Sequence, residues 1–317
     1  MKHHLILAAS TVIALASGSA LADGTVITGA TPIGGPTLLP DASLRSTFSP
    51  PALFSGPPPS WTGPYLGVNA GYLSDGGSAV NIGAFPIGPG AYPSDIAVLS
   101  GSLTPNGSSF LGGAQFGYNY QFSDAVFAGV ETDIQGSTLK GNSALASGAP
   151  YDGAPLFISE FGGLTAQKSI LSLGTVRGRV GFLLTPAISA FATAGLAYGQ
   201  VGLSTTSTVT GIFNPTGAPV ANAFGATNYS STRTGWTAGG GIEGYLSANW
   251  SAKIEYLYYD LGATTGFTPY VASFSSLPGA LLSYGASKSS TSFTGQVARL
   301  GVNYHLAYAP AAIVAKY

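Results

Sequence analysis

The stretch from Gly235 to Leu261, GWTAGGGIEGYLSANWSAKIEYLYYDL, alternates between apolar and polar residues. Successive side chains of a β-strand point to opposite faces, so this pattern predicts two strands joined by a short turn at Ser247-Ala248. In the second strand the polar face carries Lys253 and Glu255. The opposite face is apolar and consists of Trp250, Ala252, Ile254, Tyr256 and Tyr258. A strand with one face suited to lipid and the other to a polar interior is typical of a transmembrane β-barrel.

Eight alternating segments of this kind follow Trp61, and the connections between them alternate in length. The segments are 65–73, 110–122, 125–136, 168–182, 188–203, 232–246, 249–262 and 292–306. The long connections are 74–109, 137–167, 204–231 and 263–291, and the short ones are 123–124, 183–187 and 247–248. Outer-membrane barrels have short periplasmic turns and longer outer loops. The sequence therefore predicts an all-β fold: an eight-stranded antiparallel transmembrane β-barrel with four long extracellular loops.

The chain before and after the predicted barrel has a different composition. Residues 1–22 combine a positive charge, a short apolar run and a small-x-small cleavage motif, which is typical of a secretory signal peptide. Residues 23–60 contain eight prolines and predict an extended periplasmic linker, with a partner-binding polyproline stretch as the alternative. The barrel is predicted over residues 61–308, and residues 309–317 form a C-terminal extension.

The composition supports a membrane protein and excludes some partners. Only 7% of the residues are charged, whereas a soluble domain carries about 25%. The 17 tyrosines and 16 phenylalanines argue against a disordered chain. Removal of the signal peptide leaves ten basic residues against twelve acidic ones, a balance that predicts no nucleic-acid partner. The chain has no cysteine and therefore no disulfide or thiol chemistry.

Three segments also resemble the strands of a known family. Trp61–Tyr72 (WTGPYLGVNAGY) is similar to its opening strand, W-T-G-F-Y-[VL]-G-x-N-x-G-[YG]. Asn249–Tyr258 (NWSAKIEYLY) resembles its penultimate strand and Arg299–Tyr304 (RLGVNY) its last. The family is the alphaproteobacterial outer-membrane β-barrel group, related to opacity-protein-like surface antigens and often labelled "porin family". The resemblance implies the outer membrane of a Gram-negative bacterium, with lipid, lipopolysaccharide and the outer-membrane assembly machinery as partners.

The last strand carries a further feature that the resemblance implies. Members of the family usually end at an aromatic residue directly after this strand, and the matching position here is Leu306. The chain continues, and Tyr308 keeps the same strand parity before Pro310 ends pairing. The resemblance therefore implies a terminal-strand assembly signal made of Val302, Tyr304, Leu306 and Tyr308.

Nine charged residues have the parity opposite to the lipid face. They are Glu131, Asp133, Arg177, Arg179, Arg233, Glu243, Lys253, Glu255 and Arg299. An arginine or lysine facing lipid at mid-membrane would cost about 2–4 kcal/mol, so we expect these side chains to point inward and to pair. The interior of an eight-stranded barrel is just wide enough to be filled by side chains. A packed polar core is therefore the main expectation, and an ion pathway or a catalytic site is the alternative.

The sequence gives little support for an enzyme. After the signal peptide the only histidine is His305, which lies inward near the periplasmic end of the last strand and is expected to be structural. The sequence contains no cysteine–histidine cluster for zinc, no glycine-rich phosphate motif leading into a helix and no EF-hand pattern. We predict no catalytic, metal or cofactor site.

Three functions follow from this sequence. The leading prediction is a structural outer-membrane surface protein that supports envelope integrity and presents loops outward. The first alternative is a passive small-solute porin, and the second is an adhesin or partner-binding barrel that acts through its loops. The sequence leaves a homo-oligomer open.

Overall fold

The computed structural model describes residues 60–87, 93–150, 158–213, 216, 218–274 and 282–306. The chain divides into two units, Met1–Pro50 and Pro51–Tyr317, and every described residue belongs to the second. The predicted signal peptide, nearly all of the proline-rich linker, Tyr308 and the C-terminal extension lie outside the described residues, so their roles stay predictions.

The described chain consists of ten strands and one short helix. Their order is β1 (Gly63–Asp75), β2 (Val80–Pro86), α1 (Pro93–Val98), β3 (Gly101–Leu103), β4 (Ser108–Gln121), β5 (Val126–Pro150), β6 (Ile158–Thr185), β7 (Ile188–Phe213), β8 (Ala218–Tyr245), β9 (Trp250–Phe274) and β10 (Leu282–His305). In the described part, no helix is long and apolar enough to cross a membrane.

Eight of the strands close into a ring. The order is β1-β4-β5-β6-β7-β8-β9-β10, and β10 pairs back onto β1 from Tyr65↔His305 to Asp75↔Gly295. All of these pairings are antiparallel. Closure pairs the first strand with the last, which leaves no open edge where lipid could not satisfy the backbone. The predicted eight-stranded antiparallel barrel is thereby confirmed.

The predicted loops are wrong over most of three ranges, because the strands continue well past the membrane-sized segments. β5 runs to Pro150, β6 begins at Ile158, and β7 and β8 almost meet around residue 216. A strand of 28 residues such as β8 is roughly 90 Å long, whereas a tilted crossing needs about 9–11 residues. Outside lipid no apolar outward face is needed, so the alternation fades while backbone pairing continues. We call this end of the barrel the hairpin end and the opposite one the turn end.

The first predicted loop, 74–109, is also partly structured. β2 pairs with β10 from Pro86↔Gly285 to Asn81↔Ser290, beyond the point where β10 leaves β1, and β3 pairs with β2. The insertion therefore adds two strands to the sheet, which contains ten strands in all. It also contributes buried apolar side chains to the hairpin end, among them Val80, Ile82, Val98, Leu99 and Leu103.

The outward face of the ring carries an apolar band between two sets of aromatic residues. Exposed aliphatic residues such as Val130, Val180 and Leu300 form the band. The aromatic set at the turn end contains Tyr118, Tyr120, Phe122, Phe182, Trp250 and Tyr304, and the second set contains Tyr72, Phe110, Trp236 and Tyr258. On β9 the two sets are represented by Trp250 and Tyr258, a separation that matches the 9–11 residues of a tilted transmembrane strand. This band is the surface suited to lipid.

The orientation of the barrel can be tested by cysteine labelling, because the natural chain has no cysteine. Asn222 is exposed at the hairpin end, and Ser123 is exposed in the β4–β5 turn. We expect a membrane-impermeant maleimide to label Asn222→Cys on intact cells, and Ser123→Cys only after the outer membrane is permeabilised, because short turns face the periplasm. Labelling of Ser123→Cys alone on intact cells would show that the barrel has the opposite orientation.

Candidate functional site: the barrel interior

The interior of the barrel at the turn end is filled by aromatic side chains, which we call the aromatic plug. Trp61 is fully buried, stacks on Phe127 at 5.2 Å between ring centroids and meets Tyr245 edge-on at 4.7 Å. Its indole Nε1 donates a hydrogen bond to the carbonyl oxygen of Pro186 at 3.1 Å, and Leu183 packs against the same group. The residue just before the first strand therefore seals the turn end from within.

Above the plug lies a layer of ion pairs, which we call the charge cluster. Its side chains are between 0 and 3% exposed and comprise four acids and four bases. Its members are Glu131, Asp133, Arg177, Arg179, Glu243, Lys253, Glu255 and Arg299. Eight of the nine predicted charges thus lie together in the interior, and their formal charges cancel.

Glu131 is the centre of the charge cluster. Both of its carboxylate oxygens lie 2.7 Å from Lys253 Nζ, and Oε1 accepts a hydrogen bond from Arg177 Nη2 at 2.5 Å. Oε2 accepts a further one from the Tyr65 hydroxyl at 2.7 Å. A Cβ added at Gly117, the partner of Tyr65 on β4, would lie 2.3 Å from that ring, so glycine is needed there for the ring to reach the carboxylate.

Two arginines and two acids surround this centre on neighbouring strands. Arg177 donates to Glu255 at 2.6 Å and to Asp133 at 2.9 Å, and Arg299 donates to the same two acids at 2.7 and 2.8 Å. Burial of charges in a low-dielectric interior carries a desolvation cost that pairing offsets only with good geometry. The cross-strand network therefore fixes register and fills the lumen more than it adds stability.

Uncharged polar side chains extend the network toward β1 and β4. Asn69 donates to Gln115 at 3.0 Å, Gln115 contacts Asn303, and Asn303 donates to Glu243 at 2.7 Å. These amides were not among the residues predicted from the sequence, all of which were charged. The signal that could have identified them is their inward parity, which they share with the charged residues.

The arrangement around His305 does not form a catalytic relay. Ser251 Oγ lies 2.9 Å from Nε2 of His305, and Glu243 Oε1 lies 3.7 Å from the same nitrogen. In a serine–histidine–acid triad the acid holds the other ring nitrogen, so that Nε2 is free to take the serine proton. The rings of Tyr65 and Tyr245 also pack against the imidazole at 5.4 and 4.7 Å. These contacts fit a structural histidine.

A hydrophobic core, which was not predicted from the sequence, fills the hairpin end above the charge cluster. The insertion formed by β2, α1 and β3 packs against the inner faces of the long strands. Within this core a buried ion pair joins Lys168 to Asp75 at 2.9 Å, and the same ammonium group lies 5.2 Å from the centre of the Phe293 ring. Buried members include Leu73, Leu139, Leu164, Ile170, Val201, Leu203, Leu257, Leu261 and Val297.

Arg233 corrects the prediction, because it does not belong to the charge cluster. Its side chain is half-exposed, and its Nη2 donates to the backbone carbonyl oxygen of Ala263. Arg233 has the inward parity of β8 but lies beyond Trp236, at a height where the sheet is no longer in the apolar band. Strand parity predicts whether a side chain points inward or outward. Its height along the barrel follows only from the register between neighbouring strands.

The residues of the predicted assembly signal lie on the outward face of β10 as far as they are described. Val302 and Leu306 are exposed, and the Tyr304 ring meets Trp250 at 5.1 Å. Tyr308 lies outside the described residues. The role of these residues in assembly stays a prediction.

In the described part of the chain, no group of three or more histidine or acidic side chains is arranged to hold a metal ion.

Comparison with known proteins identifies the family. Residues 52–305 match the model of the outer membrane protein beta-barrel domain. The chain is 38% identical over 205 residues to the 31 kDa outer-membrane immunogenic protein of Brucella melitensis, which covers 64% of this chain and 72% of that protein. It is 28% identical over 151 residues to a 22 kDa outer membrane protein of Rhizobium leguminosarum bv. viciae, covering 47% of this chain and 52% of the other.

Among solved structures, the outer membrane protein OprG of Pseudomonas aeruginosa aligns with 78% of this chain and 97% of its own, at 12% identity and a TM-score of 0.37. The family match and the relatives confirm the resemblance seen in the sequence. The chain therefore belongs to the outer membrane β-barrel protein family and lies in the outer membrane of a Gram-negative bacterium.

Proposed function

We propose that this protein is a structural surface protein of the outer membrane, without catalytic activity and without an open pore. It would support envelope integrity and present its hairpin end to the exterior. The observation that carries the proposal is the filled interior, in which three different layers close the barrel one above the other.

Each layer blocks water and ions by a different means. The aromatic plug closes the turn end around the fully buried Trp61. The charge cluster places eight long or charged side chains across the middle of a barrel whose lumen is only wide enough for side chains. The hydrophobic core closes the hairpin end. A passive porin, whether it prefers cations or anions, would need a continuous polar path through all three layers.

The absence of catalysis is supported by the site geometry. Within the described residues, His305 is the one histidine, and it is enclosed by aromatic rings with its acid and serine neighbours on a single nitrogen. Lipid-modifying or proteolytic chemistry needs a nucleophile that a substrate can reach. The named relatives in Brucella are outer-membrane immunogenic proteins, which agrees with a surface role.

A second candidate function is partner binding at the hairpin end, which one observation favours. Beyond the apolar band the outer wall still exposes large apolar side chains, including Phe161, Phe224 and Phe267. Phe267 also packs against Phe85 of the insertion at 5.8 Å between ring centroids. Exposed aromatic groups outside lipid are suited to contacts with other molecules at the cell surface.

Conductance separates the structural role from the porin alternative. We expect the purified, folded protein in a planar lipid bilayer to give no discrete conductance steps, because three layers interrupt any water file. A water-filled porin purified in the same detergent serves as the positive control, and heat-unfolded protein serves as the negative control. Stable steps whose number grows with the amount of folded protein would contradict the structural proposal and favour a pore.

A further inference from the structure

The barrel wall has an interruption between β8 and β9 at the hairpin end. Backbone pairing between these strands runs from Tyr245↔Ser251 to Trp236↔Asp260, and then resumes only at Phe224↔Val271. By contrast, β8 stays paired with β7 along the same stretch, from Gly199↔Arg233 to Ser207↔Gly225. The interruption is therefore a gap in the backbone ladder on the β9 side of β8, while the β7 side stays paired.

Side-chain accessibility follows the gap. Inward-facing residues of β8 are buried below it at Thr237 and above it at Ala223, but those between, from Thr227 to Arg233, are half-exposed. At the lower edge, Gly262 adopts a φ of 77°, and its amide donates to Asp260 Oδ1 at 2.7 Å instead of continuing the ladder. We call this opening the seam window.

Side chains take over where the backbone ladder stops. Thr227 Oγ1 donates to the carbonyl oxygen of Phe267 at 2.9 Å, and Arg233 Nη2 donates to that of Ala263. These contacts hold the two strands close to each other without closing the gap. They also place the guanidinium group of Arg233 in the opening.

Several polar groups line the seam window. Tyr229, Ser231 and Arg233 follow one another at inward positions of β8, and the Tyr229 ring packs against the hydrophobic core. The side chain of Thr264 on β9 is buried. Arg233 uses Nη2 for the carbonyl of Ala263, and its buried Nε has no hydrogen-bond partner in the described chain. A guanidinium group fixed through Nη2, with the hydroxyl groups of Tyr229 and Thr264 nearby in the window, is suited to a phosphate, whose oxygens accept hydrogen bonds from such groups.

The height of the seam window matches the headgroup layer. Arg233 lies three residues beyond Trp236, about 10 Å along the strand, and Trp236 packs against Tyr258 at 5.3 Å in the second aromatic set. Aromatic residues mark the edge of the hydrocarbon region, and headgroups extend several ångströms beyond it. A phosphate held by Arg233 would therefore sit where outer-leaflet lipids carry theirs, with Trp236 and Tyr258 against the rest of the molecule.

We propose that the seam window binds the phosphate group of a phosphorylated glycolipid of the outer leaflet. Arg233 supplies the charge-assisted hydrogen bonds, and the hydroxyl groups of Tyr229 and Thr264 complete the site. The window thereby anchors one lipid at a defined place on the wall, a binding site that goes beyond the structural role. Arg233 would then be a lipid ligand rather than a member of the charge cluster.

The test measures binding of diphosphorylated lipid A to the full-length folded protein in detergent, with separate titrations of dephosphorylated lipid A and of inorganic phosphate. The variants are Arg233→Gln and Tyr229→Phe, and the control is Lys288→Gln, which removes an exposed lysine of β10. We expect Arg233→Gln to weaken lipid A binding by about tenfold and Tyr229→Phe by less, because an arginine–phosphate contact is stronger than one from a hydroxyl. Lys288→Gln is expected to leave the affinity unchanged.

The titrations with the two forms of lipid A and with inorganic phosphate decide the outcome. Loss of binding on dephosphorylation, together with no displacement by millimolar inorganic phosphate, would support a lipid phosphate site. Displacement by inorganic phosphate alone would overturn the lipid assignment in favour of a simple anion site. Equal affinity of Arg233→Gln and the natural protein, with both shown to be folded by their unheated gel mobility, would overturn the proposal, as would an equal loss in Lys288→Gln.

Discussion

Replacement of Glu131 by alanine is expected to destabilise the folded barrel by about 3–5 kcal/mol, because it leaves buried cations without their partner. Glu131 contacts Lys253 through both carboxylate oxygens and Arg177 through one, and no other acid of the cluster contacts as many bases. Without it the four bases face only three acids in a region shielded from water. The alanine also removes the acceptor of the Tyr65 hydroxyl.

Urea unfolding of the protein in lipid vesicles, followed by the heat-sensitive gel mobility of folded barrels, measures this loss. The matched control is Asp124→Ala, which removes an exposed acid from the β4–β5 turn and should change stability by less than about 0.5 kcal/mol. Glu131→Gln keeps the shape and part of the hydrogen bonding, so its midpoint should fall between the two. Equal midpoints for Glu131→Ala and Asp124→Ala would mean that the cluster is not an integrated network.

The features of this structure that could be predicted from the sequence are those that contact with lipid constrains. Lipid imposes period two on each crossing strand, so alternation gave the direction of Lys253, Glu255 and Ile254: the first two are at most 2% exposed, and Ile254 is 63% exposed. The number of strands followed from the same constraint. Beyond the membrane the outward face has no contact with lipid, and the alternation weakens. The strands within 204–231 were therefore not predicted from the sequence.

The interior beyond the charge cluster required the three-dimensional register. Trp61 was recognised only as the start of a family motif, and nothing local shows that its ring would enter the lumen next to Phe127 and Tyr245. Arg233 also points inward, as Arg177 and Arg179 do, but the register pairs it with Gly199, beyond Gly195, which is the partner of Arg177. Apolar residues of the first insertion, such as Val80 and Leu103, could have indicated a packed core. They were not recognised because the residues around them have the composition of a loop.

The aromatic plug and the charge cluster depend on each other. Arg179 lies 5.3 Å from the centre of the Phe127 ring in the aromatic plug and donates to Glu243 of the charge cluster at 2.7 Å. Tyr245 of the plug donates a hydrogen bond to the carbonyl oxygen of Ser60 at 3.1 Å, which ties the start of the described chain to the same layer. A disturbance of the cluster is therefore expected to loosen the plug as well, so that stability and closure of the lumen change together.

Replacement of Ile254 by arginine is expected to block assembly into the membrane, whereas Thr265→Arg on the same strand is tolerated. Both positions face outward from β9, but Ile254 lies between Trp250 and Tyr258, inside the apolar band, and Thr265 lies beyond it. A lipid-facing arginine near the bilayer midplane costs about 2–4 kcal/mol, and the cost falls to about 0–1 kcal/mol near the interface. The yield of heat-modifiable, folded protein in lipid vesicles measures the difference.

The pair of arginine variants also locates the membrane on the barrel. If both variants assemble as well as the natural protein, the apolar band does not contact lipid and the face assignment of β9 is wrong. If both fail, the hydrocarbon region extends beyond Tyr258 to at least Thr265, and Arg233 would then lie in lipid rather than at the headgroups. If only Ile254→Arg fails, the boundary of the hydrocarbon region lies between these two positions. The cost of an outward-facing charge falls along a strand where the strand leaves that region.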